Sequence, residues 1–408
     1  MPEDRPHQQP ITVVGIGADG WSGLGAQARA EIRAAQVLLG GPRQLDLVPE
    51  VGARKVPWPS PLLPNLDATL DAHTGRRVCV LASGDPLLSG IGTTLVRRLG
   101  TARVRILPGV SSITLARARL GWAAEDVEVV SVVGRDVHRV LRALAPDRKV
   151  LVLSSGADTP GDVAALLTER GYGESELTVL GELGGPGEYR ASGTAGEWPR
   201  PEVPALNVLA VRCRPDPGTL VLPRQPGLPD SAFEHDGQLT KRDLRASTLA
   251  RLAPCPGELL WDVGAGAGSV AIEWCRAHPA NRAIAIEPVP ERAARIERNA
   301  RRLGVPDLRV VIGHAPEVLA ELSAPDAVFV GGGVSAPGLL DTCWKALRTG
   351  GRLVANGVTL EAERALAAAY AEWGGELVRI SVEQAAPLGG FTGWTPARTV
   401  TQWNGGKA

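Results

Sequence analysis

Two carboxylates with three glycines between them are the residues of this sequence best spaced for chemistry. Asp262 lies near the end of the apolar run Leu259-Leu260-Trp261-Asp262-Val263, Gly264, Gly266 and Gly268 alternate after it, and Glu287 ends a second apolar run, Arg282-Ala283-Ile284-Ala285-Ile286-Glu287. Alternating glycines let a ligand approach the backbone closely, and an acid ending the next strand is placed to bind a ribose diol. A second set combines hydroxyls with glycines: Gly15-Ile16-Gly17-Ala18-Asp19-Gly20, Ser83-Gly84-Asp85-Pro86 and Pro108-Gly109-Val110-Ser111-Ser112. The hydroxyls at 111–112 also suit simple helix N-caps. A third set is cationic. Lys241, Arg242 and Arg245 crowd the start of an expected helix, where the dipole disfavours positive charge, so they either await an anionic ligand or are merely solvated.

Hydrophobic patterning supplies the elements that must carry these groups. Leu259 to Val263 reads as a buried parallel strand, Val270-Ala271-Ile272-Glu273-Trp274 opens a helix, and Arg282 to Glu287 completes a βαβ unit. Further strands are expected over 308–312, 327–330 and 351–356, helices over 292–302 and 361–373, and a final antiparallel pair over 377–382 and 398–403 around a Gly/Pro loop. In the first half, strands starting at Ile11, Val78 and Arg103 deliver the three glycine loops, and 25–39 has helical composition. Gly237 to Ala246 reads as a helix capped by Thr240, with Asp243 three residues on. Proline and polar residues without periodicity read as an extended connection. The expected division is a domain over 1–214, a linker over 215–236 and a domain over 237–408.

At 408 residues the chain is too long for one compact core. Its formal net charge of zero argues against a nucleic-acid binder with a strongly basic surface. Arginine outnumbers lysine 39 to 5, which suits bidentate recognition of carboxylates but equally reflects a compositional bias. The five cysteines are scattered without a C-x-x-C pair, fitting buried thiols in a reducing cytosol and no metal site. The polar start has no apolar leader core and no run approaches a membrane span, so a cytoplasmic protein is expected.

The loops beginning at Gly15, Ser83 and Pro108, in that order, resemble the tetrapyrrole (porphyrin/corrin) methylase family over roughly residues 11 to 212, and 178–188 resembles its second lobe. That resemblance implies a two-lobed α/β fold with a folded S-adenosylmethionine (SAM) in the cleft, contacted at Gly17, Ala18, Ser83, Gly84, Asp85, Leu88, Ser111, Ser112 and Val133. Some members carry an acid after the second strand; Val37-Leu38-Leu39-Gly40-Gly41 has none, as in the subgroup acting at C5 of the corrin precursor.

The Gly-x-Gly-x-Gly loop resembles that of Rossmann-like SAM methyltransferases with a seven-stranded sheet, and residues 237 to 405 resemble the decarboxylating corrin C15-methyltransferases. That match implies SAM contacts at Thr240, Gly264, Ala265, Gly266, Ala267, Gly268, Glu287 and Ala315; the macrocycle's acid groups would then meet Lys241, Arg242 and Arg245. Together the halves resemble the bifunctional decarboxylating C5,15-methyltransferases of cobalamin biosynthesis. The implied activity is methylation of a precorrin-6 intermediate at C5 and C15 with loss of the C12 acetate carboxyl. A homo-oligomer working on a tetrapyrrole is expected, with neither nucleic acid nor membrane as partner. No catalytic base is identifiable. An NAD-dependent dehydrogenase using the 264–268 loop, or a single-activity methyltransferase with an inactive first domain, remains open.

Overall fold

The computed structural model describes residues 10–199 and 201–408, so residues 1–9 of the polar start lie outside it. The chain divides into two compact units, one running to Val137 and including Pro146–Thr219, the other made of His138–Ala145 and Leu220–Ala408. The Pro-rich stretch is shared between them. Thr219 donates its hydroxyl to Gly171 O (2.8 Å) in the first unit. In the second, Arg276 donates to the carbonyls of Leu222 (2.9 Å) and Pro223 (3.3 Å), and Leu228 is fully buried beside Leu249 and Trp274.

The first unit holds two five-stranded sheets. One is all-parallel, in the order Arg54–Pro57, Val37–Gly40, Val78–Ser83, Ile11–Ile16, Val104–Leu107. Its strands are apolar on both faces because each face builds its own core, Val14, Ile16, Leu38 and Leu81 on one side and Val13, Leu39, Val80 and Ala82 on the other. That demand also corrects the helical reading of 25–39. The helix is Ala26–Ala34, and Val37–Gly40 is a strand. The other sheet is mixed, in the order Val127–Ser131, Lys149–Leu153, Asn207–Arg212, Glu176–Gly181, Tyr189–Thr194.

The second unit is built on a seven-stranded sheet ordered Arg309–Ile312, Arg282–Glu287, Leu259–Val263, Ala327–Val330, Arg352–Gly357, Val400–Gly406, Glu376–Ile380. The first five strands are parallel, and Val400–Gly406 pairs antiparallel on both sides. Between Ile380 and Val400, where a loop was expected, Glu383–Leu388 and Phe391–Pro396 form a separate hairpin. The expected helix after Gly237 begins only at Arg242, with Lys241 at its N-cap and no side-chain cap bond, so Thr240 is not the cap. No helix among the described residues is long and apolar enough to cross a membrane.

Candidate functional site

Parallel pairing brings the three glycine loops of the first unit together. Ile11–Ile16 lies between Val78–Ser83 and Val104–Leu107, so the loops leaving all three strands emerge side by side at their carboxyl ends. There Gly84 N–H donates to Ile16 O (3.0 Å) and Gly109 N–H to Gly84 O (3.1 Å). A Cβ on Gly15 would overlap Gly84 O and Gly109 N, so this crossing admits only glycine. The crossing floors a cavity of about 580 Å³ lined also by the second lobe, and Gly17, Ala18, Ser83, Gly84, Asp85, Leu88, Ser111, Ser112 and Val133 all reach it.

Several of these polar groups have structural duties. Ser111 caps its helix, accepting from Thr114 N–H (3.0 Å), and Asp85 accepts from Leu87 N–H (2.8 Å) to shape its own turn. Ser83 Oγ accepts from Gln44 Nε2 (2.6 Å) and Arg43 Nη2 (3.1 Å). Arg43, which the sequence did not single out, lines the cavity beside Glu182. Burial lowers its pKa while the Glu182 carboxylate opposes the shift. Glu182 itself holds a φ of 44°, a left-handed conformation that non-glycine residues adopt sparingly and often at ligand sites.

In the second unit the glycine turn is tied to its acids. Glu287 is buried; its Oε2 accepts from Gly266 N–H (2.8 Å) and its Oε1 from Val289 N–H (3.2 Å). Each oxygen keeps a lone pair for a further donor such as a diol. Gly266 has a φ of 60°, and a Cβ there would sit 2.9 Å from Gln238 O, which packs the strap ahead of the helix onto the turn. Asp262 Oδ2 accepts from Ala271 N–H (3.0 Å), while Oδ1 is buried without a hydrogen-bond partner. Burial, helped by the Glu287 charge, pushes Asp262 up to about 7. The cavity beside the turn is about 920 Å³ and is lined by Thr240, Gly264, Ala265, Gly266, Glu287 and Ala315. Ala267 and Gly268 fall outside it. Ala267 is buried with its carbonyl accepting from Asn299 Nδ2 (3.0 Å), and a Cβ on Gly268 would meet Ile296 at 2.6 Å, so both serve the packing of the turn.

Of the three cations expected to meet an anionic ligand, Lys241 and Arg242 line this cavity. Arg245 does not. It is 0% exposed and donates to Glu273 Oε1 (2.6 Å), to Asp230 Oδ1 (3.2 Å) and to the carbonyls of Thr240 and Leu228. Glu273 also accepts from Gly227 N–H (2.6 Å) and Leu228 N–H (3.0 Å). The placement that looked unfavourable on an isolated helix is thus satisfied by a buried counter-ion, and Arg245 clamps the strap that carries Gln238 and Thr240. Arg398, overlooked in the sequence, lines the cavity instead and has no ion-pair partner among the described residues. Its position follows from the pairing of Val400 with Ile380, which no local pattern announces. Among the described residues no group of three His, Cys, Asp or Glu side chains could hold a metal.

Residues 10–199 match the family of Tetrapyrrole (Corrin/Porphyrin) Methylases, and residues 231–407 match the Precorrin methyltransferase domain. A precorrin-6Y C(5,15)-methyltransferase (decarboxylating) from Sinorhizobium sp is 49% identical, across 97% of this chain and 95% of its own length. Its namesake from Mycobacterium tuberculosis (strain CDC 1551 / Oshkosh) is 48% identical, across 97% of this chain and 99% of its own. The crystal structure of the C-terminal domain of precorrin-6Y C5,15-methyltransferase from Rhodobacter capsulatus is 50% identical, covering 45% of this chain and 99% of that one, with a TM-score of 0.43.

Proposed function

This chain belongs to the family of decarboxylating precorrin-6Y C(5,15)-methyltransferases, and we propose that each of its units holds its own SAM and serves one of two methylations. In this reading the first unit methylates C5 of a precorrin-6 intermediate, while the second methylates C15 and releases carbon dioxide from the C12 acetate. The observation that carries it is the presence of two glycine-floored cavities on unlike sheets, one in each unit. Hydride transfer, which the glycine loop alone left open, is not the chemistry of this methyltransferase family.

Both cavities fit an adenosyl ligand in the sense that their floors are glycine backbone, bare of side chains and packed so closely on neighbouring backbone that a Cβ on Gly84 would meet Val110 O at 3.0 Å and one on Gly264 would meet Gly332 N at 2.9 Å. In the first, the backbone around Gly17, Gly84 and Val110 with the hydroxyls of Ser83 and Ser111 would hold it. In the second, Gly264 to Gly266 would lie against it, with Glu287 on the ribose diol and Thr240 and Ala315 alongside. Bound SAM supplies an electrophilic methyl group. The side chains have only to aim an electron-rich ring carbon and exclude water. Lys241, Arg242 and Arg398 would pair with the ring's acetates and propionates. In the decarboxylation, the bond between the acetate methylene and its carboxylate breaks, and its electron pair passes into the conjugated ring, which takes up a proton. A carboxylate stripped of water leaves more readily.

The test is mass analysis of the product formed by purified protein, SAM and reduced precorrin-6. Two added methyl groups and one lost carboxyl are expected. A single methyl, with or without carbon dioxide release, would leave one unit without the assigned role.

A further inference from the structure

Two buried polar atoms in the wall of the first cavity have nothing to bond. Asn207 is 7% exposed, and its amide nitrogen donates to Gly156 O (3.2 Å) and Pro204 O (2.9 Å). Those two carbonyls fix which end of the amide is nitrogen, so Oδ1 is the free end. That oxygen is buried without a partner, although Asn207 lines the cavity. Across the antiparallel pair Val208 faces Leu153, which makes Ser154 the next residue opposite Asn207. The Ser154 hydroxyl is likewise buried and unpartnered, and Ser154 lines the same cavity.

Buried polar groups are nearly always paired, so two adjacent exceptions at a cavity wall mark where a ligand presents its own polar edge. Asn207 Oδ1 can only accept, whereas the hydroxyl can donate or accept. Leu153, Leu180, Leu206 and Val208 supply apolar faces around them, while the charged Arg43 and Glu182 line the same cavity. An apolar slot with one fixed acceptor and one hydroxyl suits a flat, uncharged heteroaromatic ring that carries an amino group beside a ring nitrogen.

We propose that Asn207 and Ser154 read the edge of the donor's adenine, with Oδ1 accepting from the 6-amino group and the Ser154 hydroxyl donating to the neighbouring ring nitrogen. This rests on the reading of the first cavity as a SAM site. It makes Asn207 a specificity determinant, because a base with a carbonyl at that position sets two acceptors against each other.

Calorimetric titration of the full-length chain separates the possibilities. S-adenosylhomocysteine fills two sites per chain, and Asn207→Ala weakens one of them about tenfold, leaving the other unchanged. At that site the unaltered chain binds S-inosylhomocysteine, which has a 6-oxo group, about tenfold less tightly than the adenosyl compound, and Asn207→Ala brings the two ligands level. Ser154→Ala removes a single hydroxyl and weakens the same site by a smaller factor, which keeps the test open if Asn207→Ala does not fold. If neither variant alters either site, or if the unaltered chain binds both ligands equally at both sites, the inference fails while the donor reading stands. The same holds if base preference survives in Asn207→Ala. One site per chain overturns both.

Discussion

In the first unit the proposed donor cradle is backbone held by backbone, with three loops laced at Gly15, Gly84 and Gly109 and no buried carboxylate among their crossing bonds. In the second it is backbone held by charge. Glu287 grips Gly266, Asp262 grips the start of the following helix, and the Arg245–Glu273 pair pins the strap that Gly266 packs against. A cradle of the first kind fails sterically and is indifferent to protonation. One of the second kind fails electrostatically and responds to pH.

The largest effect separating the two is expected from Arg245→Ala. Removing one member of a fully buried pair leaves Glu273 charged and uncompensated, which costs on the order of 3–5 kcal/mol. Hydrogen exchange of the full-length chain should show this loss within Leu220–Ala408, with exchange in the first unit unchanged. Equal loss in both units would contradict the division of labour. Next comes Gly15→Ala. Its methyl group forces Gly84 and Gly109 apart, and a displacement of about 1 Å at a reacting centre lowers turnover roughly a hundredfold. C5 methylation should fall by that factor while C15 methylation, measured in the same reaction, persists.

Of the two cradles, only that of the second unit should respond to pH. Asp262 titrates from 3.8 in an exposed chain to about 7 when buried. Between those values the folded state holds the extra proton, so the stability this carboxyl contributes is full at low pH and is lost as pH rises through about 7. Denaturant unfolding across that range should show the second unit weakening with rising pH, and Asp262→Asn should flatten the slope. A slope that survives the substitution would assign it to other groups. The smallest effect is expected from Arg398→Ala, a severalfold rise in KM for the tetrapyrrole with SAM affinity unchanged, because an exposed ion pair contributes about 1 kcal/mol or less. Parallel losses of both would place Arg398 on the donor.

The glycine loops were legible because each follows an apolar run, and a strand that must be buried on both faces leaves little else to encode. The cations were not legible. Lys241, Arg242 and Arg245 look alike in sequence, yet Arg245 finds Glu273 across the core while its neighbours stay at the cavity. The hairpin Glu383–Leu388 with Phe391–Pro396 was read as loop because its segments carry Pro387 and mix apolar with polar residues without strict alternation. Ala267 and Gly268 share a motif with Gly264 to Gly266, but the turn rotates them into the core.

Sequence alone determined the three loops at the strand ends of the first unit and the glycine-acid pair of the second, since these are local patterns of burial and backbone freedom, and the family resemblance those motifs carry implied the two folds. Tertiary structure decided which charges are spent on each other, which polar atoms are left wanting a partner, and that Arg398 joins the second cavity. Those outcomes depend on residues brought together from distant parts of the chain, and the free energy of a charge or an amide is set by what faces it, which no neighbouring letter records.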